Sequence, residues 1–171
     1  MTRSQELIAS LKESPRDEGK LEALVRWFSR KGEWDALYES LTELVGASEE
    51  IDLIEWYRAH LGQVIQRHID AVQEPTLGGA LRLRLANLLS EHLGQREEAV
   101  ILIAEAFERY PSPRVLDRAM TMLEQLGELR FAARLLQAKA AGEDDPDRAA
   151  DLWLRLAYAL RTLGELARAL D

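Results

Sequence analysis

Apolar residues in this chain recur three and four positions apart, and the stretches that carry them stop at glycines. Leu21, Leu24, Val25 and Phe28 form one such stripe, and Trp153, Leu156, Ala157 and Leu160 form another. That spacing puts the apolar side chains on one face of an α-helix. The segments Leu21–Leu37, Leu81–Ala99, Leu116–Ala132 and Trp153–Ala169 align on Gly32, Gly94, Gly127 and Gly164. Glycine at such a place predicts a left-handed residue that ends the helix at little steric cost. Five residues after each glycine stands Leu37, Ala99, Ala132 or Ala169, and a second stripe follows, as in Ala99, Ile103, Ala106 and Phe107. The unit is therefore a pair of antiparallel helices. Neither helix hides its apolar face alone, so pairs must stack. The glycines are spaced by 62, 33 and 37 residues, and Gly62 lies near the middle of the longest interval.

Proline punctuates the pattern elsewhere. Pro15 precedes the first full pair, and ELIASLKES before it reads as half a repeat. Pro111 closes ILIAEAFERY, and Pro146 opens the last unit, where a first-turn proline is tolerated. One stretch departs from the rule. Glu49–Gln73 carries a continuous stripe through Ile51, Ile54, Tyr57, Leu61, Val64, Ile65, Ile69 and Val72. It reads either as one long helix or as a degenerate repeat turning at Gly62. Arg67, five residues on, suits no buried small position, which favours the single helix. Ser48 before two glutamates is expected to start it, and a turn over Glu74–Gly79 to end it.

These residues resemble the tetratricopeptide repeat family. Its pattern runs from a large apolar residue through a leucine with a small neighbour to the turn glycine, then a buried alanine, a large residue, another alanine and a proline. Trp153, Leu156, Ala157, Gly164 and Ala169 follow it, as do Leu85, Ala86, Gly94, Ala99, Ile103, Ala106 and Pro111. Leu116, Ala119, Gly127, Ala132 and Leu136 follow it in part; Leu21, Leu24, Gly32, Leu37 and Leu41 keep its register, although Leu37 is not small. The resemblance implies an all-α fold, a right-handed α-solenoid of antiparallel helix pairs. On that reading 1–171 is a single repeat domain. It comprises a half repeat (1–15), a repeat (16–47), a long or degenerate helical insert (48–75), two repeats (76–111 and 112–142) and an incomplete final repeat (143–171). The last unit breaks off without the polar cap of a finished solenoid, so the chain is expected to be part of a longer array.

Composition narrows the function classes. The 171 residues are 47% hydrophobic and 30% charged, a foldable balance. Cysteine is absent, which removes disulfides, thiolate metal sites and cysteine nucleophiles together. A net charge of -8 is a poor match for nucleic acid. No apolar run reaches the roughly 18 residues of a membrane span, and MTRSQELIASLKES has no secretory h-region, so the expected compartment is the cytoplasm. His60, His68 and His92 are not spaced as metal ligands, no serine lies in a G-x-S-x-G elbow, and no phosphate-binding loop is present. The chain is therefore read as a non-enzyme without cofactor or metal. Trp27, Trp34, Trp56 and Trp153 all lie in or beside apolar stripes and are expected in the core, with Trp56 the exception at an edge.

One feature suggests binding. Arg84, Arg118 and Arg155 occupy the same place in three repeats, with Asn87, Thr121 and Tyr158 one turn on; Arg26, Arg30 and Arg161 add to the set. In the resembled family the first helices of successive pairs line a concave groove. Some members clamp a terminal carboxylate there with lysine, arginine and asparagine, and Asn87 with Arg118 resembles part of such a clamp. A row of guanidinium forks suits an acidic peptide or partner surface. The alternative is that these arginines pair with acids on neighbouring helices. The expected function is a protein-binding adaptor. Its rivals are a structural spacer or self-association module, and a regulatory repeat domain of a larger motility or secretion assembly.

Overall fold

Helix starts and stops follow local backbone chemistry throughout. The computed structural model describes residues 3–109 and 112–164. Among the described residues there are nine helices and no strand: α1 (Arg3–Glu13), α2 (Glu18–Lys31), α3 (Trp34–Gly46), α4 (Ile51–Ala71), α5 (Pro75–His92), α6 (Arg96–Arg109), α7 (Pro113–Gln125), α8 (Leu129–Ala141) and α9 (Pro146–Thr162). None is long and apolar enough to cross a membrane.

All four aligned glycines are left-handed, with φ between 67° at Gly94 and 73° at Gly164. After α2, the Gly32 amide bonds Ser29 O at 3.1 Å and the Glu33 amide bonds Phe28 O at 3.0 Å. After α7, Gly127 bonds Glu124 O at 2.9 Å and Glu128 bonds Leu123 O at 2.7 Å. Both turns thus satisfy the last carbonyls in the same two-bond motif. Pro111, Ala169 and any second helix after Gly164 lie outside the described residues.

Helices α7 and α9 start on a capping side chain followed by proline. Ser112 accepts from the Val115 amide before Pro113, and Asp145 accepts from the Asp147 and Arg148 amides before Pro146. Glu74 does the same for α5 ahead of Pro75. Its Oε1 accepts from Thr76 N at 2.9 Å and its Oε2 from Leu77 N. The expected turn over Glu74–Gly79 is therefore corrected: Pro75 opens α5, and Gly78 and Gly79 are helical and buried. Ser48 is corrected too. Its Oγ donates back to Leu44 O at 2.6 Å, while the Glu50 carbonyl accepts the first bonds of α4. α4 runs unbroken through Gly62. Ile51, placed on its buried stripe, is instead 73% exposed: it is the first residue of α4, and in that turn Leu53 is the residue that is buried.

The chain divides into two units, one of residues 1–71 with 88–94, the other of residues 72–87 with 95–171. In the first unit α1 packs on α2 and α3, α2 on α3, and α3 on α4. Leu11, Leu24, Leu37, Tyr38, Leu41, Tyr57 and Ile65 are its most enclosed side chains. Lys12 reaches Glu43 at 2.6 Å across α1 and α3, and Arg67 reaches Glu22 at 3.0 Å across α4 and α2. In the second unit α6 packs on α7 and α8, α7 on α8, and α8 on α9. Ala99, Ala106, Ala119, Ala132 and Ala159 are fully enclosed, which is how these helices approach closely around Ile103, Phe107, Leu123 and Leu136.

Candidate functional site

α9 places its residues by the helical period. Leu152, Leu156, Ala159 and Leu160 point into the second unit and are buried. Leu154 and Tyr158, one turn apart, fall on the opposite side, with Trp153 at the flank. Trp153 is 45% exposed, Leu154 70% and Tyr158 57%. Arg161 stands over the Tyr158 ring at 5.4 Å from its centroid, a cation–π arrangement. Trp153 thus corrects the expectation for the tryptophans. Trp56 is half-buried, as are Trp27 and Trp34, and Trp153 is the most exposed of the four. The stripe of α9 needs only its leucines and Ala159 to seal the core.

The arginine row does not behave as a row. Arg155, with its side chain only 19% exposed, is held between two carboxylates. Its Nε donates to Asp151 at 2.7 Å on its own helix, and its Nη1 donates to Asp117 on α7. Partial burial opposes its charge, but the bonds it donates to Asp151 and Asp117, with their negative charges, outweigh this and hold its pKa above the ordinary arginine value. Arg118, next to that aspartate, is exposed and forms no ion pair among the described residues. Thr121 turns its hydroxyl back onto Asp117 O at 3.0 Å. Arg84 is exposed and Asn87 half-buried on α5, and both have partners of their own. Equivalent sequence positions therefore meet different neighbours, and only the neighbours decide whether a guanidinium is available.

Arg26 and Arg30 belong to the first unit. They stand one turn apart on α2, both exposed, beside a groove of about 360 Å³ shared with α1. His60 sits over Trp56 and bonds its carbonyl at 2.7 Å.

Two polar constellations escaped the sequence reading. Arg82, 9% exposed, donates to Gly78 O at 3.2 Å and to Glu105 at 3.2 Å, tying α5 to α6. His68, also 9% exposed, bonds Tyr38 and stacks on Trp34. Its burial was legible, because it follows Ile65, Val64 and Leu61 by three, four and seven residues on the buried stripe of α4, but its partners come from another helix. Among the described residues no three His, Asp or Glu side chains converge. No protein-family model and no curated protein matches this chain.

Proposed function

We propose that this chain is a protein-binding scaffold, a right-handed solenoid of tetratricopeptide-like helix pairs that holds a partner segment on the outer side of α9. The recurring left-handed glycine, the enclosed Ala99 and Ala132 five residues after two of these glycines and the proline-led starts of α5, α7 and α9 support the repeat reading. One observation carries the binding reading. Trp153, Leu154 and Tyr158 remain exposed together on a helix whose other face is well packed. Clustered exposed apolar residues mark contact surfaces, and Trp, Tyr and Arg are the side chains that dominate such contacts. Arg161 on the same face and Arg118 on α7 suit carboxylates flanking the partner's apolar anchor. The reading involves no catalysis and no cofactor.

The test places a photo-crosslinking residue at Leu154 and at Tyr158 in cells, then measures the captured partner's segment as a synthetic peptide. Leu154→Glu with Arg161→Glu is expected to weaken that peptide about tenfold or more at unchanged helicity. Crosslinks to no partner, or affinity that survives the double variant, would discard the reading. The same apolar face also favours a second reading, self-association. Light scattering that finds a dimer, reduced to a monomer by Leu154→Glu, would establish that one in its place.

A further inference from the structure

Away from α9, the first unit holds a groove of opposite character to the acidic chain around it. Leu7 of α1 and Ala23 and Trp27 of α2 line its apolar part; Leu7 and Trp27 are half-buried and Ala23 is exposed. The rim is cationic throughout: Arg3 from α1, and Arg26, Arg30 and Lys31 from α2. The helical period explains this rim. Trp27 and Lys31, one turn apart, flank the stripe Leu21, Leu24, Val25 and Phe28 that faces the core, and Arg26 and Arg30, also one turn apart, lie on the side of α2 away from it. Lys31 Nζ sits 4.3 Å from the centre of the Trp27 ring. Arg3 and Lys31 make only loose pairs, with Glu6 at 3.7 Å and Glu33 at 3.9 Å, and all four side chains are well exposed. Arg26 and Arg30 form no ion pair among the described residues.

We infer that this groove is a second docking site, for an acidic peptide segment with one leucine- or phenylalanine-sized anchor. A net charge of -8 repels acidic chains in general, so four cations gathered round an apolar floor select for them locally. A volume of about 360 Å³ admits a large aliphatic or aromatic side chain against Trp27. The two free guanidinium forks stand where carboxylates beside that anchor would reach them. The inference rests on the scaffold reading only in taking the chain for a peptide binder; its residues lie on other helices.

The probes are three fluorescein-labelled peptides titrated into the full chain and read by anisotropy. One is glutamate-rich with a central leucine, one has serine for the leucine, and one has lysine for every glutamate. The first is expected to bind, the second about tenfold or more weaker, and the third not at all. Arg26→Glu with Arg30→Glu should cost the first peptide at least tenfold. Ala23→Trp, which fills the floor and leaves every charge in place, should remove the leucine preference. Leu154→Glu should change nothing, which separates this site from the α9 face. Circular dichroism checks that each variant stays folded. Equal binding of the leucine and serine peptides would reduce the groove to a general anion attractor, as would displacement by millimolar inorganic phosphate. Binding unaffected by the double charge reversal, or no binding of the first peptide, would overturn the inference outright.

Discussion

Tyr38 Oη and His68 Nδ1 lie 2.7 Å apart in the buried seam between α3 and α4. The His68 ring stacks on Trp34 at 4.3 Å, only 7° from parallel. Three side chains from two helices thus fix one rotation of α4 against α3. A hydrogen bond in so enclosed a place contributes through its geometry, and losing one partner strands the other. Tyr38→Phe, which removes the hydroxyl and nothing else, is expected to lower stability by about 1 kcal/mol in urea denaturation. His68→Ala should cost more, because it also empties the space beneath Trp34. An unchanged midpoint for Tyr38→Phe would mean that the pair is not formed in solution.

The two carboxylates around Arg155 imply a structural role for it. Arg155→Met should destabilise the second unit by about 1 kcal/mol, with Asp117 and Asp151 left facing each other. Arg118→Met, at an exposed position, should stay within about 0.5 kcal/mol of the parent. Equal effects of the two substitutions in denaturant titrations would contradict the difference in their surroundings.

Backbone conformation makes opposite forecasts at two turns. Arg16 is the one described non-glycine residue with positive φ, at 67°. Arg16→Gly should raise stability by about 0.5–1 kcal/mol, the left-handed cost net of the entropy of a glycine in the unfolded chain. Gly94 has φ 67° and open space where a side chain would stand. Gly94→Ala should therefore lose about 1 kcal/mol through backbone strain alone. Thermal melts that move both variants in the same direction would refute this.

Glu74 links the start of α5 to pH. Backbone amides of Leu77 first, and Thr76 second, bond its carboxylate and hold its pKa below the ordinary glutamate value. The depressed pKa means that the carboxylate's contribution is present above the unfolded-state pKa and is lost as pH falls through the folded one. NMR should show the Thr76 and Leu77 amides titrating together at a pH below that of an unperturbed glutamate. Glu74→Gln should abolish the titration. Amides that shift at the ordinary carboxylate pH would show that the cap does not hold.

Helix periodicity, the four turn glycines and the alanines at fixed distance from them were legible in the chain itself, because each acts within one or two turns. A left-handed glycine ends a helix whatever lies beyond it, and a stripe of leucines needs only the 3.6-residue period to find one face. The start of α5 was legible in principle too, yet a glycine pair suggested a turn where the Glu74 cap and Pro75 outweighed it. What only the tertiary structure decided is which polar and aromatic residues are free. Arg118 and Arg155 look alike in sequence, but Asp117 approaches one of them from a neighbouring helix. Trp153 keeps a core position in the repeat pattern yet is 45% exposed, while His68 lies on the stripe of α4 and finds there, in Trp34 and Tyr38, partners that the stripe does not name. Availability depends on neighbours brought from tens of residues away, and no local period encodes those neighbours.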